Sequence, residues 1–261
     1  MPQAFFKFTL KSAINPKEHA FAISVQQQGE RLKNYRLTGQ GKKFEPSSFN
    51  ISLMTESGEW IMGRFGKQFN FSLMNENVEL KAGKYIIMVD PLWNESANLD
   101  RCYKEVMVDI YAPEAVYIDQ VDDAPGFELM AKALKRHALA NKDEKARSNY
   151  LSDNEDYGTD VLRVQDIESL PCWYGYIYTK NDSSLTLRET LRPELEGMSV
   201  IYPIKSDDMM NDTEEKKADQ PLEIVIKVPP GQDNIVILRR ATENVRFALN
   251  YLTHAPELTD E

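Results

Sequence analysis

Cysteine and histidine are scarce in this chain: Cys102 and Cys172, with His19, His137 and His254, are all it has. Two cysteines make no disulfide framework, which predicts a reducing compartment. Three scattered histidines offer none of the ligand spacings that zinc sites use. No apolar run approaches the roughly 20 residues that a membrane-spanning helix needs. The opening residues, Met1-Pro2-Gln3-Ala4-Phe5-Phe6-Lys7-Phe8, lack the basic start and apolar stretch of a secretory leader. The expectation is therefore a cytoplasmic chain, in which triplets such as Asn50-Ile51-Ser52 and Asn70-Phe71-Ser72 are chance matches to a glycosylation signal. Positive charge is also short. Lys and Arg number 31 against 41 Asp and Glu, giving a net charge of -10. That balance disfavours non-specific binding to nucleic acid or to an anionic membrane; it leaves room for a local basic patch, though no stretch of the sequence spells one.

What is present suffices for packed cores. Hydrophobic residues make up 42% and aromatics 10% of 261 residues, which excludes global disorder and fits one large or two ordinary domains. Apolar alternation of strand period marks Phe5 to Leu10, His19 to Gln26, Ser48 to Met54, Phe69 to Leu73, Lys84 to Val89 and Tyr103 to Tyr111. In the second of these, Phe21, Ile23 and Val25 make the bulkier face. Pro16, Gly29, Pro46, Gly58, Gly63, Gly66 and Pro91 read as turn residues between the runs. From Pro125 to about Arg147 the period becomes helical, with Phe127, Met130, Leu134 and Ala138 on one stripe. Asp122 and Asp123 stand before this segment and Lys132, Lys135 and Arg136 lie farther along it, as the helix dipole favours. Strands resume at Val161 to Val164, Trp173 to Tyr178, Ser184 to Leu191, Met198 to Ile204, Leu222 to Val228, Ile235 to Arg240 and Phe247 to Leu252. Lys205 to Gln220 is acidic and polar and reads as a mobile loop.

One phrase occurs twice. Val78 to Val89 turns at Gly83, and Ile224 to Leu238 turns at Gly231, each with apolar alternation on both sides. This reads as a sheet edge turning into its neighbour, once in each of two related domains. The predicted architecture is mainly β: two antiparallel β-sandwiches, 1–118 and 159–261, joined by a helical and acidic linker, 119–158.

Candidate chemistry is thin. Pro171-Cys172-Trp173 echoes the Cys-Trp pair of papain-like enzymes, but the following residues alternate as a strand. A nucleophilic cysteine needs its thiol acidified, usually by a helix N-terminus and a nearby histidine. The only downstream histidine is His254, so Cys172 reads as a structural residue, and Cys102 has no better setting. Calcium prefers clustered carboxylates on loops. Asp119, Asp122 and Asp123 form one such group, Asp153, Glu155 and Asp156 a second, and Asp207, Asp208 and Asp212 a third. None follows an EF-hand pattern, and the plainer reading is a helix N-terminus for the first and solvated loops for the others. Gly39-Gln40-Gly41-Lys42-Lys43 lacks the spacing of a phosphate loop. Trp60, Trp93 and Trp173 read as core rather than as stacking platforms for bases.

His19 to Gln26 leading to Arg31, then Leu80-Lys81-Ala82-Gly83-Lys84-Tyr85-Ile86-Ile87-Met88-Val89, resemble the β-sandwich that follows the protease core in calpains. Tyr174 to Tyr178 with Leu185 to Leu191 is similar to a second sandwich in calpain-like proteins of protists. The resemblance implies domain III-type sandwiches related to the C-two lipid-binding fold, with no Cys-His-Asn core and no catalytic residue to carry over. It implies contact surfaces for other proteins in a cytoskeletal or ciliary scaffold, no resident cofactor, and an acidic loop at Lys205 to Gln220. Two alternatives follow from the same resemblance: a calcium-dependent phospholipid-binding module, and the regulatory part of a cysteine protease whose core lies elsewhere.

Overall fold

The computed structural model describes residues 3–27, 46–68, 70–93, 105–121, 127–141, 161–166, 174–184, 186–196, 198–202, 224–240 and 246–254. The chain is mainly β, in several antiparallel sheets, and its contacts divide it into two compact units. One covers Met1–Ala133; the other is formed by Leu134–Leu170 and Tyr174–Glu261.

In the first unit, strands β1 (Ala4–Leu10), β2 (Ala22–Gln27), β3 (Ser48–Thr55), β4 (Trp60–Gly66), β5 (Asn70–Met74), β6 (Gly83–Leu92), β7 (Val106–Tyr111) and β8 (Ile118–Gln120) make two sheets. Their orders are β4-β3-β6-β1-β8 and β5-β2-β7. Alternation puts every second side chain on one face. Phe8 and Leu10 from β1, Ile51 and Leu53 from β3, and Tyr85, Ile87 and Val89 from β6 are buried together with Phe21, Ile23, Val25, Phe71 and Leu73. One hydrophobic cluster therefore takes its members from both sheets. Phe8 stacks on Tyr85 at 5.3 Å and lies 5.8 Å from Phe21.

In the second unit, β9 (Val161–Asp166), β10 (Tyr174–Asn181), β12 (Met198–Tyr202) and β14 (Asp233–Arg240) form a sheet of order β12-β14-β10-β9. A second sheet has the order β13-β11-β15, with β11 (Leu187–Glu196), β13 (Ile224–Val228) and β15 (Arg246–His254). Ile177, Val236 and Leu238 of the first pack with Leu187, Leu191, Ile224, Ile226 and Val228 of the second.

Helix α1 (Phe127–Ala140) carries the division between the units within it, after Ala133. The expected stripe of Phe127, Met130, Leu134 and Ala138 is buried, and Leu129, Ala131 and Ala133 widen it. Backbone hydrogen bonding continues to Asn141, whose N–H donates to the carbonyl of His137.

Several local readings need correction. Gly63 and Gly66 are strand residues of β4, opposite Ser52 and Phe49. Gly66 has no room for a side chain, because an added Cβ would run into the Phe71 ring. Pro91 sits within β6, opposite Phe49. His19 to Phe21 precede β2 rather than belonging to it. The two strands that alternation failed to mark, β4 and β8, are a glycine-interrupted segment and a three-residue edge.

The repeated glycine phrase is not a hairpin in either copy. Before Gly83, Leu80 forms a bridge with Ile14, whereas β6 pairs with β1 and β3. Around Gly231, β13 pairs with β11 in one sheet and β14 pairs with β10 and β12 in the other. Each phrase marks a change of partner. Periodicity reports which face of a strand is apolar and carries no information about which strand lies beside it.

Candidate functional site

The outward face of the first unit's larger sheet changes character along β1. Phe5, Lys7 and Thr9 share that face, yet Phe5 is buried while Lys7 and Thr9 are exposed. At the open end lies a pocket of about 360 Å³. Antiparallel partners directly opposite each other project to the same side. Thr9 faces Lys84 on β6, and Lys7 faces Ile86 on β6 and Asp119 on β8. Lys11, just past the strand, completes a set of three lysines in the lining. Glu56 and Asp119 are the two carboxylates there. The sheet at Phe8 and Tyr85 makes the floor, and Tyr117 stands at the rim with 84% of its surface exposed.

The lysines are not equally engaged. Lys84 Nζ lies 3.6 Å from Glu56 Oε2, with both side chains more than half exposed, so that pair contributes little. Lys7 and Lys11 have no ion-pair partner among the described residues. Glu114, next to the pocket, is spent on the backbone instead. Its Oε1 accepts the Lys11 N–H at 2.7 Å, and its Oε2 accepts the Ser12 hydroxyl at 3.0 Å. The Lys11 N–H chiefly, helped by Ser12, holds the Glu114 carboxyl below the usual range. These bonds tie Glu114 to the residues just past the end of β1. Below the floor, burial raises the Tyr85 hydroxyl above its usual pKa, and the hydroxyl donates to Lys81 O at 2.6 Å.

The second unit has a buried polar arrangement on β10. Tyr174, Tyr176 and Tyr178 occupy one face and are fully buried. Tyr178 donates to Asp233 Oδ2 at 3.1 Å, and Lys135 of α1 reaches Oδ1 of the same carboxylate at 2.6 Å. His137, half-buried, meets Tyr176 edge-on at 6.2 Å between ring centroids. Burial raises both Tyr176 and Tyr178 far above the usual value, helped by the charges of Asp166 and Asp233 respectively. Such phenols remain neutral across the physiological range and serve as packing with a hydrogen-bonding tip.

Of the calcium candidates, Asp119 is an exposed residue of β8 facing Lys7. Asp122, Asp123, Asp207, Asp208 and Asp212 lie outside the described residues, as do Cys102, Cys172, the group at Asp153, Glu155 and Asp156, and Lys205 to Gln220. Among the described residues, no group of three or more His, Cys, Asp or Glu side chains is placed to hold a metal ion. None of the described helices is long and apolar enough to cross a membrane. The lysine set is local to one pocket and is not spelled by any stretch of the sequence. The lysine set was missed because it is assembled across strands, and its one local trace is the polar alternation of Lys7, Thr9 and Lys11.

No family model matches the chain, and no curated protein matches it. A solved structure described as "The structure of a beta-glucuronidase from glycoside hydrolase family 2" aligns with 95% of this chain at 10% identity and a TM-score of 0.21. The chain spans 22% of that protein's length, and a likeness this slight carries no argument about fold or activity.

Proposed function

We propose that the chain is a non-catalytic interaction module of two β-sandwiches of the kind found in the non-catalytic region of calpain-like proteins, joined through a helical segment. It docks onto other proteins in a larger cytoplasmic assembly, in a cytoskeletal or ciliary setting. The observation that carries the reading is the lysine-lined pocket at the open end of a sheet face, rimmed by an exposed tyrosine. Charged rims with an aromatic contact are a common form of protein-binding surface. Two units with separate hydrophobic clusters suit such a module, because each can carry a surface without depending on a shared cleft.

The test is affinity capture of the full chain in its native extract, followed by reconstitution with each purified candidate partner. A complex that re-forms from purified components is the expected result. A chain that stays monomeric and partnerless throughout would sink the reading. At Asp119, the facing lysine favours an anion over a cation, so calorimetry is expected to give no calcium-binding heat from that position.

A further inference from the structure

We infer that the lysine pocket of the first unit binds an acidic, extended peptide segment of a partner protein. The inference rests on the interaction-module reading and names the chemistry that such a partner presents.

The spacing of the cations carries the argument. Lys7 lies in β1 and Lys11 just past its end, four residues on and so at most about 13 Å away at the rise of a β-strand. Lys84 lies on the neighbouring strand opposite Thr9, between them and displaced by roughly one inter-strand spacing, about 4.8 Å. Three lysines rooted at different points along the sheet can each meet a separate carboxylate. They match carboxylates on every second residue of an extended peptide, whose side chains recur on one side at about 6.6 Å.

Charge selects the same occupant. Lys7 and Lys11 are exposed and have no carboxylate within ion-pair distance among the described residues, although Lys7 faces Asp119 and the Lys11 charge acts on Glu114, and Lys84 holds the long contact to Glu56. In a chain of net charge -10, the lining of this pocket sets three lysines against two carboxylates, a local excess of lysine that an acidic segment can meet. The carboxylates of Glu56 and Asp119 within the same lining disfavour a continuous sheet of anionic headgroups, since a flat membrane surface would press negative charge on them as well. Tyr117, almost fully exposed at the rim, supplies a flat apolar surface for the peptide backbone or an apolar side chain between the acidic ones.

The experiment uses the full chain and a fluorescein-labelled peptide with Glu at alternate positions, read by anisotropy at low salt. The all-Gln counterpart, inorganic phosphate and phosphatidylserine vesicles are the comparison ligands. We expect the Glu peptide to bind, the Gln peptide not to, and the double variant Lys7→Glu/Lys84→Glu to lose about tenfold or more in affinity. Thr9→Glu, which adds a carboxylate between the lysines, is expected to weaken binding as well. Lys7, Thr9 and Lys84 are exposed, so an unchanged melting temperature verifies that these variants fold. Equal affinity of the wild type and the double variant overturns the assignment, as does displacement of the peptide by phosphate or recruitment to vesicles in its place. Reconstituted partner binding that survives Lys7→Glu/Lys84→Glu also overturns the pocket assignment and leaves the interaction-module reading standing. Failure of every reconstitution removes that broader reading instead.

Discussion

Asn181 is fully buried and holds together the turn that carries the chain from one sheet of the second unit to the other. Its Nδ2 donates to Val228 O at 2.7 Å, and its Oδ1 accepts from the backbone and hydroxyl of Ser183. Its own backbone exchanges bonds with Gly231 N and Gln232 O. Asn181→Ala removes the amide and strands buried partners, and urea denaturation is expected to show a loss of about 2 kcal/mol. Two glycines nearby in type differ in mechanism. Gly231 has φ of 71° with open space around it, so Gly231→Ala is expected to cost about 1 kcal/mol through the backbone alone. Gly66→Ala instead drives a methyl into the Phe71 ring and is expected to cost about 1–3 kcal/mol by overpacking. Pairing Gly66→Ala with Phe71→Leu separates the two mechanisms, since only a steric cost shrinks when the ring is removed. Gly231 was legible in the sequence as a turn. Gly66 was not, because its constraint comes from a ring on another strand.

At the level of elements, β10 shows how burial becomes chemistry. An alternating aromatic strand announces that one face is rich in tyrosine, and all three rings on that face are buried. Tyr176 and Tyr178 therefore stay protonated in the folded chain at pH values where an unfolded tyrosine, with its usual pKa near 10, ionises. The unfolded state then binds fewer protons than the folded one, and stability falls as pH rises above about 10. Absorbance titration of tyrosinate is expected to show these two hydroxyls ionising only as the protein unfolds. Replacing Tyr176 with Phe should remove one group from that late step and leave the early, exposed tyrosines unchanged. An early step that shrinks instead would show Tyr176 to be accessible. The helix was equally legible, through its stripe of Phe127, Met130, Leu134 and Ala138. The bond from Lys135 to Asp233 was not, since nothing local links a helix to the first residue of a strand so distant in sequence.

For the whole molecule, two units with separate hydrophobic clusters predict two unfolding steps that respond to different substitutions. Leu53→Ala removes a fully buried side chain of the first cluster and Leu191→Ala one of the second. Each is expected to cost about 2–5 kcal/mol and to shift only its own transition in scanning calorimetry. A single transition moved equally by both would show the units to be one cooperative body. The sequence by itself determined the β class, the alternation of buried and exposed faces, the helical stripe and the excess of negative charge. These are properties of a residue and its near neighbours, written in periods of about 2 and 3.6. Tertiary structure alone decided which strands pair, where the glycine phrases send the chain, and that Lys7, Lys11 and Lys84 meet around one pocket in an acidic protein. Strand pairing is non-local, and a cluster of charges assembled by it leaves no run of like residues to read.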